Sequence, residues 1–299
     1  MRAEIEQAIE LLQSGNNDAT EQALALLQNT VFAFSMRVCG QREDAEDTMQ
    51  EVLVRTVSQL PKFSNGKALV VWLYKVAKTR CLMSRRRSKF APEKDLSLEQ
   101  LMPDRHELQH LGAEGSLNPE AFAIRSQEAG RLRDAIQKLP PPYRIVLVLR
   151  DMEGLSDDEV AEITGLRPGT IRVRLHRARL FVRKELLSLR KPKRGRSHTP
   201  PAVPNAMPDR ARCKALFAEL SDYLDEQLDD SLCAELAEHM NACEPCKVFL
   251  ATLQATIEGC RQVPAQNASQ TVAARLRKDL VQKYKEASAV LKSRSAPPA

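Results

Sequence analysis

Three residues toward the carboxyl end, in the pattern His239-x3-Cys243-x2-Cys246, are the side-chain types that hold a soft divalent cation. On a helix His239 and Cys243 lie four apart and share a face, and Pro245 opens a new helix that returns Cys246 to them. Cys213 stands upstream, near the start of another helix, and can complete the tetrahedron that zinc prefers. With four protein ligands such a centre is closed, so its chemistry is structural or sensory, not catalytic. The metal-free alternative, two buried cysteines and a surface histidine, accounts less well for this specific spacing. Of the seven cysteines, the other four (Cys39, Cys81, Cys233 and Cys260) lack ligand spacing and read as small buried hydrophobes.

A second pattern suits a polyanion. Arg and Lys crowd the stretch from Arg167 to Arg196 against the single acid Glu185, whereas acids dominate from Asp209 to Glu244. Ser156-x-x-Glu159 has the form of a capping box, Gly165 ends the short helix it starts, and a longer basic helix begins near Pro168. That order is the sequence form of a helix-turn-helix. Val160, Ile163, Leu166, Ile171, Leu175 and Ala178 are its inward residues. Thr170, Arg172, Arg174 and Arg177 point outward, able to reach guanine edges or phosphates. His176, set between arginines, reads as a phosphate contact or a packed ring. A third pattern is an acidic stripe, Asp44, Asp47 and Glu51 at i, i+3 and i+7, which alone reads as a solvated helix face.

The elements that position these residues are helices. With 43% hydrophobic but 4% aromatic residues the chain suits amphipathic helices around modest cores, and the expected fold class is all-α. Helical spacing runs through Leu24, Leu27, Val31, Phe34 and Val38 up to Gly40. It runs again through Ala45, Met49, Val52, Leu53, Thr56 and Leu60 up to Pro61, and through Leu69, Trp72, Leu73 and Val76 into Arg85-Arg86-Arg87. Between about Ser88 and Gln127 the periodicity is lost, as in a tether. It returns with Leu132, Ala135, Ile136 and Leu139. The run Ile145-Val-Leu-Val-Leu149 suits a buried strand or a buried helix, and its neighbours favour the helix. A last basic helix is expected from about Val272 to Leu291. The implied organisation is a helical domain over 1–90, a linker over 91–127, a helix-turn-helix domain over 128–190, a Pro-rich basic linker over 191–209, a metal domain over 210–262, and a basic helix with a disordered tail over 263–299.

The string Asp44-Ala-Glu-Asp-Thr-Met-Gln50-Glu51-Val, followed by Trp72-Leu-Tyr-Lys-Val-Ala77 and an Arg cluster, resembles region 2 of the extracytoplasmic-function (ECF) sigma factors. The resemblance implies that Asp44, Glu46, Asp47, Gln50 and Glu51 grip the clamp helices of the RNA polymerase β′ subunit. It implies that Trp72, Lys75, Lys78, Thr79 and Arg80 melt and read the −10 element of promoter DNA. The chain departs from the family at Thr79, where Asn is usual, and at Met83, where Asp is usual. Trp72 reads more simply as a core residue than as a base-stacking platform. Leu139-Pro-Pro-Pro-Tyr-Arg, Gly154-Leu-Ser-Asp-Asp-Glu-Val-Ala and Gly169-Thr-Ile-Arg-Val-Arg-Leu-His-Arg-Ala-Arg179 resemble sigma region 4, whose second helix enters the major groove of the −35 element.

The stretch Cys213 to Phe249, with Ser221-Asp-Tyr-Leu-Asp-Glu-Gln-Leu228, is similar to the zinc-binding anti-sigma domain, with one departure: Glu226 stands where that family usually has Gly, a minor change at a helix end. That domain normally belongs to a separate protein that packs between the two sigma domains; here it is fused in cis. The implied function is a sigma factor that directs RNA polymerase to promoters and initiates transcription, regulated through an intramolecular contact with its zinc domain. The alternatives are a free-standing helix-turn-helix regulator and a metal or redox sensor. An enzyme is not expected, since there is no Gly-rich phosphate loop, no His-Glu-x-x-His and no nucleophile–base pairing. No apolar run approaches the roughly 20 residues that span a bilayer, and the amino terminus, with Glu4 and Glu6, lacks a signal-peptide pattern. A cytoplasmic protein without membrane contact is the expectation.

Overall fold

Asn16 and Gly40 bracket the longest apolar stretch of the amino-terminal half and make it a helix. Asn16 accepts a hydrogen bond from the Asp18 amide, and Gly40 ends the helix in the left-handed region at φ 85°, its amide donating to Met36 O. In the computed structural model, which describes residues 2–14, 16–63, 65–86, 95–103, 129–188 and 210–295, regular structure is helical throughout. The protein is all-α. Its residues fall into two compact units, one of 1–92, 158–166 and 264–299, the other of 93–157 and 167–263.

The first unit holds α1 (Arg2–Gln13), α2 (Asn17–Cys39), α3 (Arg42–Val57), a 3-10 turn (Leu60–Lys62) and α4 (Gly66–Arg86). Helix α1 lies ahead of the first periodic stretch recognised in the sequence. Leu24, Leu27, Phe32 and Phe34 of α2 are fully buried, and α1, α3 and α4 all pack on it. The carboxyl-terminal helix α13 (Gln270–Ser295), longer than expected, packs through Ala273, Leu276 and Leu280 on α2, α3 and the 3-10 turn. At that contact Gln28, 1% exposed, donates to Ala273 O at 3.0 Å and accepts from Arg277 Nε at 3.1 Å, so a buried amide is satisfied at both ends. Cys39 and Cys81 are not isolated small hydrophobes: they form a disulfide between α2 and α4, because the end of α2 and the middle of α4 bring their Cα atoms to 5.5 Å. Most of α8 (Asp157–Thr164) belongs to this unit.

The second unit holds α5 (Leu98–Leu101), α6 (Ala129–Lys138), α7 (Pro141–Leu147) with a π turn (Val148–Met152), α9 (Pro168–Ser188), α10 (Arg210–Leu224), α11 (Asp230–Ala242) and α12 (Glu244–Gln262). The run Ile145 to Leu149 is helical and wholly buried, as its neighbours implied. Within 91–127, expected as a linker, residues 95–103 are ordered, and Leu101 and Met102 join one core with Leu180, Phe217, Leu236, Cys246 and Phe249. Residues 91–94, 104–127 and 191–209, the remainder of the two expected linkers, lie outside the described residues.

Helix α10 ends in a Schellman turn: Gln227 N donates to Asp222 O at 2.8 Å and Glu226 N to Tyr223 O at 3.2 Å. That motif needs a left-handed residue, and Glu226 takes φ 56°, so the Gly-to-Glu departure is not minor: a Cβ is carried where Gly rests without strain. Glu226→Gly is expected to raise stability by about 1 kcal/mol, read as a higher urea midpoint at unchanged slope; an unchanged or lower midpoint would show that the turn tolerates the side chain.

Candidate zinc centre and nucleic-acid interface

Four donors converge between α10, α11 and α12. Cys213 sits in the first turn of α10, and His239 in the last turn of α11. Asp229 caps α11 by accepting from the Leu232 amide at 3.0 Å, which fixes where that helix starts and so where His239 falls. Cys243 is extended (φ −128°, ψ 94°) and joins α11 to α12, and Pro245 in the first turn of α12 returns the chain, so that Cys246 faces inward. The four residues are buried, and their ligand atoms all lie within 4.8 Å of one another. Closest are His239 Nε2 to Cys246 Sγ and Cys243 Sγ to Cys246 Sγ, both 3.2 Å, with Cys213 Sγ 3.5 Å from His239 Nε2 and from Cys246 Sγ.

These separations fit a metal. A tetrahedron with zinc–sulfur bonds of about 2.3 Å has edges of about 3.8 Å, within the observed spread. They do not fit disulfides, whose sulfurs lie about 2.05 Å apart. Burial, then the neighbouring Cys243 and Cys213 thiols, push the Cys246 thiol well above its ordinary value, a conflict that a divalent cation reverses by taking thiolates as ligands. Cys213, His239, Cys243 and Cys246 therefore suit one zinc ion, in a closed site that pins three helices.

Helix α9 presents two faces. Thr170 is exposed and Arg172, Arg174 and Arg177 are partly so, as the sequence implied; Arg172 Nε lies 3.7 Å from Asp157. The opposite face, His176, Arg179 and Arg183, is buried against the metal domain. His176 is a packed ring, its Nδ1 2.8 Å from Ser221 Oγ of α10. Arg179 donates to both oxygens of Asp151 (2.9 and 2.6 Å) and of Asp225 (2.8 and 2.9 Å). Burial opposes its charge, yet Asp151 and then Asp225 outweigh burial and raise it above the ordinary arginine value. Arg183 donates from Nε to Thr252 Oγ1 at 2.8 Å and lies over the Phe249 ring, 3.7 Å from its centroid. Sequence reasoning allowed for the packed His176 ring but missed that Arg179 and Arg183 share its buried face, although the spacing 176, 179, 183 puts the three on one side of a helix.

In the first unit Asp47 and Gln50 of α3 are exposed, and Asp44, Glu46 and Glu51 partly so. Glu46 accepts from Arg42 at 3.1 Å and from the Ser269 amide at 3.4 Å. Glu51 pairs with Arg55 and with Arg80 of α4, each at 2.5 Å. Trp72 is 37% exposed with its ring 6.2 Å from that of Phe63, so the expectation of a core residue fails: α4 buries Leu69, Leu73, Tyr74 and Ala77 and turns Trp72 outward. Lys75 and Thr79 are exposed. Lys78 donates to Ile163 O at 2.7 Å; burial, then Lys75, lower its pKa.

Residues 24–90 match Sigma-70 region 2, residues 129–182 match Sigma-70 region 4, and residues 213–247 match a zinc-finger family. ECF RNA polymerase sigma factor SigW of Bacillus subtilis is 29% identical over 190 residues, 63% of this chain and 100% of that protein. RNA polymerase sigma-H factor of Pseudomonas aeruginosa is 28% identical over 190 residues, 62% of this chain and 94% of that protein. With both regions in one chain, this is a sigma factor, similar to the ECF sigma factors. In this sigma factor the acidic helix α3 and the helix α4 lie within region 2, α9 lies within region 4 up to its last turns, and the metal centre lies within the zinc finger. A free-standing helix-turn-helix regulator is not favoured, since region 2 is present. Among the described residues no helix is long and apolar enough to cross a membrane.

Zinc removal from the sigma factor by a strong chelator, or Cys246→Ala, should release one equivalent of metal to a chromogenic dye and melt most of α10 to α12 by circular dichroism; full helicity without metal would make the site dispensable to folding. The His176 ring gives a pH signature. Burial, then Arg179 and Arg177, lower its pKa from 6.5 to about 4. The unfolded chain takes up a proton below pH 6.5 that the folded chain refuses, so stability present above pH 6.5 is lost as pH falls toward 4. Urea melts with zinc in excess should show wild type losing roughly 2 kcal/mol more than His176→Gln between pH 7 and 5. Parallel losses would place the ring in water.

Proposed function

We propose that this sigma factor brings core RNA polymerase to promoters through α3 and α4 of region 2 and through the outer face of α9 in region 4, and that its zinc domain restrains it in cis. The exposed and partly exposed acids Asp44, Glu46, Asp47 and Glu51, with Gln50, are the surface offered to the β′ clamp helices. Trp72, Lys75, Lys78, Thr79 and Arg80 are offered to the −10 strand. An outward tryptophan beside cations suits an unstacked base on a single strand, where stacking and backbone charge carry the affinity. Thr170, Arg172, Arg174 and Arg177 are offered to the −35 element.

One observation carries the reading of regulation: Asp225 of the zinc domain is paired through both oxygens with Arg179 of α9. Removing one partner of a buried pair is costly, because the other is left charged and dry. Ser221 on His176 and Thr252 on Arg183 extend the same contact. Asp222 adds a carboxyl close enough to Arg172 to feel its charge, although burial, the largest influence, leaves its pKa raised. Acids so placed lower the positive potential that α9 offers to phosphates. In region 2 the amide of Ser269 holds Glu46, one of the residues offered to polymerase. Fusion within one chain gives such contacts an effective concentration on the order of millimolar, so modest affinity suffices.

The test is binding and transcription in parallel. Charge reversal at Asp44, Asp47 and Glu51 should reduce core binding at least about tenfold, the loss of about 1.4 kcal/mol, with helicity unchanged. Asp225→Ala, and separately residues 1–190 alone, should raise transcription from a promoter selected with the full chain. Undiminished core binding would remove region 2 from the interface, and unchanged or lower transcription would end the inhibitory reading of the zinc domain.

A further inference from the structure

None of these roles uses the Cys39–Cys81 disulfide. Cys39 is the last residue of α2 and Cys81 lies within α4, with their Cα atoms 5.5 Å apart. Thr48 Oγ1 of α3 stands 3.9 Å from each sulfur, so the bond lies where three helices meet. Cys81 directly follows Lys78, Thr79 and Arg80, three of the residues offered to the −10 strand, and Arg80 is itself held by Glu51 of α3. The bond therefore fastens the promoter-facing part of α4 to the core of region 2.

We propose that Cys39 and Cys81 form a redox site that exchanges with low-molecular-weight thiols and disulfides, and that the disulfide-bonded form is the one prepared to engage the promoter strand; the second half rests on the region 2 reading above. In the oxidising direction the Cys39 thiolate attacks a disulfide RSSR. The RS–SR bond breaks, one RS⁻ leaves and takes up a proton, and a mixed disulfide remains on Cys39. The Cys81 thiolate then attacks the Cys39 sulfur and expels the second RS⁻. Two protein thiols thus give two electrons and two protons to RSSR, which becomes two RSH, and excess RSH reverses the same steps.

Burial makes the site selective. Cys39 is 3% exposed and Cys81 1%, so exchange waits for local opening. Cys39 is the point of entry, since it ends its helix immediately before Gly40, whereas Cys81 is held inside α4. Once joined, the pair removes freedom that α4 otherwise loses on gripping a single strand, which favours binding by preorganisation. Oxidation would thereby switch the sigma factor toward promoter engagement, independently of the thiolates at the zinc centre.

The experiment uses the full-length, zinc-loaded protein equilibrated with glutathione disulfide or with glutathione, blocked with N-ethylmaleimide and mapped by peptide mass. A linked Cys39–Cys81 peptide pair is expected in the first sample and two alkylated peptides in the second, with a melting temperature roughly 5 to 10 °C lower after reduction. Holoenzyme made from each form is then titrated with fluorescein-labelled single-stranded DNA, selected from a random pool by the oxidised holoenzyme. The reduced form should bind this DNA at least about threefold more weakly at equal affinity for core polymerase. A Cys39→Ser/Cys81→Ser double variant, which keeps every zinc ligand, should lose the redox response. Absence of the linked pair at every glutathione ratio overturns the site, and a linked pair with equal DNA affinity overturns its role. Failure of both forms to bind core polymerase overturns the region 2 reading and the promoter half with it, while the peptide map still decides the redox site.

Discussion

A guanidinium buried to 1% exposure sets the terms for half of this molecule. Arg179 lies on the inner face of α9, where water cannot solvate it, and its charge persists only because Asp151 and Asp225 each offer two oxygens. Asp151 comes from the π turn after α7, within region 4. Asp225 comes from the Schellman turn that ends α10, within the zinc domain. Helix α9 and the metal domain are consequently joined by an interaction whose partial loss strands a charge.

Each link beneath that pair depends on the one before it. Asp225 stands where it does because α10 ends in a left-handed turn, and α10 is held because Cys213 in its first turn shares a metal centre with α11 and α12. The domain has few aromatic residues to spend, yet Phe217 and Phe249 stack at 4.4 Å and Arg183 covers Phe249 from α9. Zinc thus supplies a fixed point that so small an apolar core lacks. In the first unit the disulfide has the same place: a covalent link between α2 and α4 beside a helical core that holds Leu24, Leu27, Phe32 and Phe34.

Helix α13 bears on the division of labour within the chain. The last of the three family matches ends at residue 247, and α13 begins at Gln270, yet its apolar face is buried on α2 and α3. Segments at the carboxyl end thereby reach both sigma regions by different means: a dry ion pair on α9, and apolar packing with a satisfied buried glutamine on α2.

The sequence by itself determined the all-helical class, the boundaries set by Gly40, Gly165 and Pro245, the four zinc ligands and the outward arginines of α9. Each of these follows from local rules, a helical period or a ligand spacing of three or four residues, that act within a few turns of chain. Tertiary structure alone decided the rest. The partners of Arg179, the pairing of Cys39 with Cys81 across 42 residues, the outward turn of Trp72 and the seat of α13 on α2 join positions far apart in the chain. A charge or a thiol carries no mark of its partner in its own neighbourhood. Where it ends depends on which helix faces close against each other, and that is settled by the burial of whole faces together.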